Sequence, residues 1–279
     1  MKRVFSERAD GRPSVSPKID ALFGIGRESY LSDRVLIAMV GSRDPSDYGR
    51  RAADYIASYL VQRGVVVVSG LARGIDALVH YKALEQGGKT IGVSAVSPFA
   101  VYPARNTELY RRMRSEGLIV SEHKELERPS RYHFPMRNRI IAAISDGVIV
   151  VEAGIKSGAL ITARYAAEFG IPVFAVPGSI FSQRSGGCHR LIEEGAHPLY
   201  ELDQLEAMYC LERRHRESAT GERAQEISDY LRLRRQASFS EILNATNLDL
   251  PDLVSGLEEL VQEGLVISLP GDRYQWIDA

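Results

Sequence analysis

Between residues 35 and 199, short apolar runs alternate with segments of helical periodicity, and this alternation constrains the fold most. The runs are rich in β-branched residues, which suits strands buried on both faces. Strands that alternate with helices predict an α/β fold with a Rossmann-like, doubly wound and mainly parallel sheet. The strand candidates are Val35–Val40, Val65–Val68, Thr90–Val93, Gly117–Ser121, Val148–Val151 and Val173–Val176. The helix candidates are Tyr48–Arg63, Gly74–Gln86, Asn106–Glu116, Asn138–Ser145, Ala159–Phe169 and His189–Glu194.

The character of the chain changes after residue 202. Residues 1–18 are polar and are predicted to be flexible, residues 19–202 hold the Rossmann-like pattern, and residues 203–222 read as a short helix that passes into a linker. Residues 223–279 predict a winged-helix domain, because three helical patterns precede a hairpin. Its helices are predicted at Ala224–Arg235, Ser238–Asn244 and Leu250–Glu263, and its hairpin strands at Leu265–Leu269 and Arg273–Ile277.

Composition and charge narrow the classes of function. The chain has 279 residues, of which 44% are hydrophobic, and no apolar run approaches the ~20 residues of a membrane span. We therefore expect a cytoplasmic protein without membrane contact. Cys188 and Cys210 form no metal-ligand spacing, so neither a metal nor a cofactor is expected. Residues 222–279 contain five basic and eleven acidic residues (−6), whereas residues 1–221 contain 30 and 25 (+5), which favours the larger segment for nucleic acid.

Four loops share one design, in which a strand is followed by small or polar residues and then by a helix. In a doubly wound sheet these loops meet at the carboxyl ends of the strands, where ligands bind. Free backbone N–H groups and the helix dipole attract anions there. We therefore expect phosphate contacts from the helix N-termini at Ser42, Gly70 and Ser157, with Arg73 and Gly158 beside them. The four loops are Gly41–Pro45, Ser69–Gly74, Gly154–Gly158, and Pro177–Ser179 leading into Ser185–Gly187.

Cations and an aromatic ring accompany these loops. Arg43, Arg137 and Lys156 supply positive charge, and Phe134 supplies a ring on which a base can stack. Phosphate binding together with stacking is typical of single-stranded nucleic acid. Because Arg137 and Arg139 are two residues apart, they cannot face the same way on a helix, so Arg137 is assigned to DNA and Arg139 to bracing the fold.

Three other side chains have simpler interpretations. Asp76 and His80 lie four residues apart on one predicted helix, so they could share a hydrogen bond, and a role in helix packing is favoured over a catalytic dyad. Glu152 ends its strand at the proposed site. As a single carboxylate it is expected to orient neighbouring loops and not to act as a base.

Several motifs occur in a fixed order, and together they closely resemble the DNA-processing protein A family, also called DprA or Smf. They are Val40–Arg43, Ser69–Asp76, Tyr102–Pro103 with Asn106, Phe134–Ala142, Val151–Ala153 with Ser157–Ala163, and Phe174–Gly178. The resemblance implies an extended Rossmann domain, usually dimeric, with no established catalytic activity. It implies a bacterial cytosolic protein that binds incoming single-stranded DNA during natural transformation, protects it and helps to load the RecA recombinase. Its DNA-groove residues correspond to Arg43, Arg131 and Phe134, and Arg131 rests on the resemblance alone.

Two other functions remain open at this stage. One is a nucleotide N-glycosidase of the similarly built lysine-decarboxylase-like family, although the matching segment Glu152–Thr162 lacks that family's triple-glycine loop and its downstream Glu. The other is a transcription regulator that reads duplex DNA through the winged helix. The net charge of −6 argues against it, because a groove-reading helix needs cations that face phosphates.

Overall fold

The computed structural model describes residues 2–3, 19, 21–126, 130–211, 222–246, 248–262 and 264–277. The chain divides into two compact units, Met1–Arg214 and His215–Ala279. Of the segment 1–18 that was predicted to be flexible, only Lys2 and Arg3 are described, and they form a short strand. Half of the predicted linker, residues 212–221, also lies outside the described residues.

The first unit is built on one nine-stranded sheet. Its strands are β1 Lys2–Arg3, β2 Leu22–Gly26, β3 Leu36–Val40, β4 Val66–Gly70, β5 Thr90–Val93, β6 Leu118–Ser121, β7 Gly147–Val150, β8 Val173–Ala175 and β9 His197–Pro198. They lie in the order β1-β2-β6-β5-β4-β3-β7-β8-β9. In this spatial order, every neighbouring pair from β6 to β9 is parallel, whereas the pairs β1–β2 and β2–β6 are antiparallel. The predicted α/β class with a mainly parallel sheet is confirmed.

Helices cover both faces of this sheet, which is why its central strands are apolar throughout. The helices are α1 Asp47–Gln62, α2 Ile75–Glu85, α3 Thr107–Glu116, α4 His133–Ile144, α5 Ala159–Glu168, α6 Gly186–Glu193 and α7 Asp203–Tyr209. Alternate residues of β3 enter two cores: Leu36 and Ala38 pack with Ile141 of α4, and Ile37 and Met39 pack with Leu60 of α1.

The strand order places the ligand-binding edge. Counting only the parallel strands, the chain starts in the middle with β3, proceeds through β4, β5 and β6 to one side, and then returns to β7, β8 and β9 on the other. The order reverses between β3 and β7. In open α/β sheets the loops on either side of this switch point diverge and leave a crevice at the carboxyl ends of the strands.

Several elements of the first unit differ from the sequence predictions, among them β9, α4 and β2. The helix α4 begins at His133, five residues before the predicted start, and so includes Phe134 and Pro135. Proline is accepted in a first helical turn because its missing N–H would have no partner there. The strand β2 was not predicted, since Leu22–Gly26 is short and contains two glycines, yet it pairs with β6.

The first unit also extends past residue 202, where the linker was expected to begin. The helix α7 belongs to its core, because Leu205 is fully buried there. The Tyr209 hydroxyl donates a hydrogen bond of 3.1 Å to the Asp146 carbonyl. A short helix was predicted in this stretch, and its apolar face packs on the sheet.

The second unit contains three helices and a small antiparallel sheet. Its elements are α8 Glu222–Arg234, β10 Gln236–Ser238, α9 Phe239–Ala245, α10 Leu250–Gln262, β11 Val266–Leu269 and β12 Arg273–Trp276. The sheet order is β10-β12-β11. Leu231, Ile242, Leu257 and Trp276 are among its core residues. The three helices and the hairpin follow the predicted order and β10 was not predicted, and the assignment of this unit as a winged helix stays a prediction. In the described part of the chain, no helix has the length and apolarity needed to cross a membrane.

Candidate nucleic-acid interface

A cleft of about 850 Å³ opens at the carboxyl ends of β3 and β7. Its walls come from the loop after β3, the start of α4, the loop and first turns of α5, and two residues of the loop after β8, with Ala72 and Asp76 from the region after β4. Eight of the ten predicted site residues line it: Ser42, Arg43, Arg131, Phe134, Arg137, Lys156, Ser157 and Gly158. The ninth, Arg73, lines an adjoining cavity of about 270 Å³, which Arg43, Phe134 and Arg137 also border.

One wall of the cleft combines a cation with aromatic rings. The guanidinium group of Arg43 lies 5.6 Å from the centroid of the Phe134 ring. The centroid of the Tyr102 ring lies 5.5 Å from that of the Phe134 ring, with the two planes inclined at 45°. Arg43 is exposed and Phe134 is half-buried, so the charge and part of the ring face solvent. This arrangement can hold a phosphate and stack a base at adjacent points.

Arg131 extends the same wall. Its guanidinium carbon lies 4.9 Å from the centroid of the Tyr132 ring, and its Nη2 donates a hydrogen bond of 2.8 Å to the Tyr132 hydroxyl. Both side chains are exposed. Tyr132 therefore restrains a cation that remains accessible to an anion.

The floor of the cleft is the N-terminus of α5. Gly158 is the N-cap residue, and the first turn contains no acidic side chain. A Cβ atom at Gly158 would have no neighbour within 4 Å, so the terminus is open. The exposed Lys156 lies two residues earlier. The Asn138 Nδ2 donates a hydrogen bond of 3.2 Å to the Gly158 carbonyl, which holds α4 and α5 together. The Ser157 N–H donates to the Gly154 carbonyl at 2.9 Å and the Ala159 N–H to the Ser157 hydroxyl at 3.3 Å. A phosphate would therefore be attracted here mainly by the helix dipole and the lysine charge.

The N-terminus of α1 is closed, contrary to the expectation at Ser42. The helix is capped by Ser46, whose backbone N–H donates to Glu152 Oε2 at 2.9 Å and whose hydroxyl donates to Glu152 Oε1. A Cβ atom at Gly49 would lie 2.8 Å from the same carboxylate. The Ser42 N–H donates to the Glu152 carbonyl at 2.7 Å and is not available to a ligand. Glu152 thus orients the loop, as the sequence suggested.

Gly70 also differs from expectation, since it is the last residue of β4 and not a helix terminus. The N-cap of α2 is Gly74, which adopts a φ of 83°. A side chain at Gly70 would collide with the side chains of Arg137 and Asp76. This glycine therefore makes room for a buried charge pair, and it lines neither cavity.

Arg137 and Arg139 are both buried, with 7% and 3% of their surfaces exposed. Arg139 forms an ion pair of 2.5 Å with Glu122, which is the bracing role predicted for it. Arg137 donates to the Val93 carbonyl and interacts electrostatically with Asp76. Burial raises the pKa of Asp76, and the charge of Arg137 works against that rise. The predicted direct role of Arg137 in DNA contact does not fit this burial, because its charge is already compensated.

His80 does not pair with Asp76. Its Nε2 lies 2.8 Å from the Gly70 carbonyl and its Nδ1 lies 2.6 Å from the Thr90 hydroxyl. Burial lowers the pKa of His80 to about 4, so the ring is neutral near pH 7. These contacts join α2 to β4 and β5, in agreement with the packing role.

One cleft residue was missed by the sequence interpretation. Arg184, from the loop after β8, donates to the Asp44 carbonyl and, at 3.1 Å, to the Asp44 carboxylate. The loop itself was recognised as part of the phosphate-binding design. Arg184 is the one basic residue between Pro177 and Gly187, where no acidic residue occurs, and this composition is the signal that would have found it.

This chain is similar to known proteins in both sequence and fold. Residues 13–209 match the family model for DNA recombination-mediator protein A. The DNA processing protein DprA of Bacillus subtilis is 42% identical over 184 residues, which cover 66% of this chain and 62% of that protein. The DprA of Streptococcus pneumoniae is 46% identical over 160 residues, covering 57% and 56%.

A solved structure of DNA processing protein A from Helicobacter pylori, presented for its unique single-stranded DNA binding mode, superposes with a TM-score of 0.67. It is 28% identical, and the match covers 75% of this chain and 95% of that one. The S. pneumoniae structure gives a TM-score of 0.64 at 41% identity over 67% and 66%. In sequence, the chain matches 62% of the B. subtilis protein and 56% of the S. pneumoniae protein, less than two thirds of either. The matching model, which covers well over half of the chain, establishes that this protein belongs to the DNA recombination-mediator protein A family.

Proposed function

We propose that the protein binds single-stranded DNA in the cleft, largely independently of sequence. The observation that carries the proposal is the convergence of three exposed cations, one accessible ring and one open helix terminus on a single cavity. The cations are Arg43, Arg131 and Lys156, the ring is Phe134, and the terminus is that of α5. Phosphate contacts position a strand without reading its bases, and an aromatic ring accepts any base.

Arg137 has a supporting role in this proposal. Its charge is compensated by Asp76, and its hydrogen bond to the Val93 carbonyl ties the start of α4 to the end of β5. It therefore fixes the helix that carries Phe134, the ring that a base would stack on. Arg139 does the same for the opposite side of α4 through Glu122.

The wider role that we propose is DNA processing during natural transformation. In it, the protein protects the incoming strand and helps to load RecA, and it acts as a homodimer in the cytoplasm. Family membership and the names of the relatives support this role. We propose no catalytic step. The carboxylate that a glycosidase would need, Glu152, is 3% exposed and bound to Ser46, and it is not among the residues that line the cleft.

Filter binding with a radiolabelled oligothymidylate tests the binding proposal. We expect single-stranded DNA to bind more tightly than a duplex of equal length, with a log–log salt slope of about −0.7 per neutralised phosphate. Phe134→Ala should cost about 1–3 kcal/mol of binding free energy. Tyr55→Ala is the control, because Tyr55 is 67% exposed on α1 and does not line the cleft. Salt-independent binding, or equal losses in the two variants, would contradict the proposal.

The roles of the partners need separate measurements. Light scattering on the full chain gives its mass, and a dimer is expected. RecA loading is measured as RecA-dependent strand exchange on DNA coated with single-strand-binding protein, where added protein should shorten the lag. An unchanged lag with DNA binding intact would remove RecA loading from the proposal and leave the binding function in place.

A further inference from the structure

The loop after β8 presents two large apolar side chains to solvent. Ile180 is 81% exposed and Phe181 is 92% exposed, the highest value among the large hydrophobic residues in the described part of the chain. Exposed apolar side chains are common singly, but a phenylalanine with almost no packing contacts contributes little to the stability of its own fold. The residues beside Phe181 therefore indicate what its exposed ring could bind.

The loop is ordered by its own hydrogen bonds and lies at the cleft. The Ser182 N–H donates to the Ser179 carbonyl at 3.0 Å, and the Ser185 N–H donates to the Ser182 carbonyl at 3.1 Å. Gln183 and Arg184, which follow within this turn, line the cleft. Phe181 is two residues from Gln183, so their Cα atoms are at most ~7.6 Å apart. Phe181 therefore lies on the rim.

The topology separates this rim from the wall that carries Phe134. Phe134 lies with Tyr102 and Arg43, beside the loops that follow β3, β4 and β5. The loop of Phe181 follows β8, on the other side of β7. The switch point lies between β3 and β7, and Arg184 reaches across it from the loop after β8 to Asp44, the neighbour of Arg43. A strand that leaves Phe134 and crosses Lys156 would arrive at the loop after β8.

Arg184 adds a phosphate contact on that side. Its side chain is 46% exposed, and its partner Asp44 is 74% exposed. Exposed ion pairs of this kind contribute ~0–1 kcal/mol, so a phosphate can replace the Asp44 carboxylate. The guanidinium group has five N–H donors, of which the two contacts with Asp44 use two. A ring beside an exchangeable cation is the combination found on the Phe134 wall.

We propose that the loop after β8 is a second DNA-binding wall, on which Phe181 stacks against a base and Arg184 holds a phosphate. The inference rests on the proposed single-strand binding and extends it by one further contact region. Charge favours DNA over a protein surface: the loop from Pro177 to Gly187 carries Arg184 and no acidic residue, whereas Arg190 on α6 is paired with Glu194. The bound strand then runs across the switch point and is held at both ends by a ring.

Fluorescence anisotropy with labelled oligothymidylates of increasing length tests this path. For strands long enough to span both walls, Phe181→Ala should weaken binding by about 5-fold to 100-fold, as expected for loss of one stacked base. For the shortest strands that still bind, Phe134→Ala should weaken binding and Phe181→Ala should not. Phe181→Trp should retain affinity, and Tyr55→Ala, a change of another exposed aromatic residue, should leave affinity unchanged at every length.

An abasic nucleotide identifies the base that stacks. Moved stepwise along a thymidine strand of spanning length, it should remove the effect of Phe181→Ala at one position and the effect of Phe134→Ala at another. Melting curves followed by circular dichroism check that the variants are folded. Because Phe181 has almost no packing contacts, its replacement should leave the melting temperature unchanged.

The outcomes separate the two proposals. If wild-type protein does not bind single strands, the proposed function fails and this inference fails with it. If Phe134→Ala weakens binding but Phe181→Ala does not at any length, the second wall is overturned and the function stands. If Phe181→Ala changes only the mass of the DNA-free protein in light scattering, the loop is a protein contact and the inference is again overturned.

Discussion

The helices α1 and α5 begin alike in sequence, yet their N-termini differ. Each follows a central parallel strand, β3 or β7, and each is reached through a loop of small and polar residues. At α1 the terminus is filled by the Glu152 carboxylate, which accepts hydrogen bonds from the backbone N–H and the hydroxyl of Ser46. At α5 the first turn has no acidic residue, and a Cβ atom at Gly158 would have no neighbour within 4 Å.

This difference shows that one loop closes the helix terminus of its neighbour. Glu152 follows β7, the strand that leads to α5, but its side chain reaches the helix that follows β3. The protein thereby supplies an internal anion at one terminus and leaves the next one for an external anion. A strand–loop–helix design is consequently not sufficient for phosphate binding, because the terminus must also lack an internal carboxylate.

The largest expected effect comes from opening the closed terminus. Glu152→Ala removes the partner of the Ser46 N–H and hydroxyl, which lie 106 residues away in sequence. Because unsatisfied donors and a lost helix cap each carry a cost, we expect the free energy of unfolding to fall by about 3 kcal/mol. Urea denaturation measures this loss.

Glu152→Gln is the matched control, since a glutamine oxygen can still accept one of the two hydrogen bonds. Its loss should be clearly smaller than that of Glu152→Ala. Equal stability of wild type and Glu152→Ala would mean that the α1 terminus is not closed by this carboxylate. A gain in DNA affinity in the alanine variant would show that an opened terminus accepts phosphate.

The helix α2 is a third case, because it carries the buried carboxyl group of Asp76 in its first turn and the buried, neutral His80 one turn later. His80 ordinarily titrates near a pKa of ~6.5, whereas burial lowers its pKa to about 4 in the folded protein. Between these values the unfolded chain binds a proton that the folded chain does not. Stability should therefore be lost as the pH falls from 6.5 to 4, by up to about 3 kcal/mol.

The comparison of wild type with His80→Gln isolates this contribution. Asp76 acts in the opposite direction, because burial raises its pKa, and it remains in both proteins. Urea midpoints measured at pH 7 and pH 4.5 should show a smaller drop in the glutamine variant. Identical drops would place the acid sensitivity elsewhere.

The part of this site that could be predicted from sequence is the part that local pattern determines. Period and composition were enough for the six central strands, and the cluster of Arg43, Phe134 and Lys156 followed from the position of their loops. What could not be predicted depends on side chains that meet across long sequence separations. Glu152 closes α1 and Asp76 compensates Arg137, and neither pairing has a local signature.

The sequence predictions of the short elements were wrong for a related reason. The strand β2 carries Gly24 and Gly26, and it is ordered by pairing with β6, about 95 residues further along the chain. The start of α4 was misplaced because Pro135 resembles a helix boundary. Arg184 escaped notice because its loop has no regular period.

A carboxylate introduced at the N-terminus of α5 is the converse of removing Glu152 from the N-terminus of α1. Gly158 has an ordinary helical conformation with φ −63°, and a side chain there would meet no neighbour. Gly158→Asp should place a carboxylate where we expect a phosphate. We expect DNA affinity to fall by about 1–2 kcal/mol, roughly ten-fold or more, with the free energy of unfolding unchanged or slightly higher.

Gly158→Asn separates charge from size, because it adds a side chain of the same shape without the negative charge. Anisotropy titrations of both variants with the same oligothymidylate should show a large loss for Asp and a small one for Asn. Equal losses of affinity would mean that the added side chain acts by its size and not by its charge. No loss in either variant would mean that the α5 terminus is not part of the binding site.

The smallest effect expected is that of a single cation at each terminus. Lys156 is exposed beside the open terminus of α5, and Arg50 is exposed on the first turn of the closed helix α1. Lys156→Gln should reduce the log–log salt slope by about 0.7, because one phosphate is no longer neutralised, and should weaken binding by about 1 kcal/mol. Arg50→Gln should leave the slope unchanged, since Glu152 already supplies the anion at its helix. Titrations at several salt concentrations measure both slopes. If Lys156→Gln and Arg50→Gln reduce the salt slope equally, the strand is bound by general positive charge and does not prefer the N-terminus of α5 to that of α1.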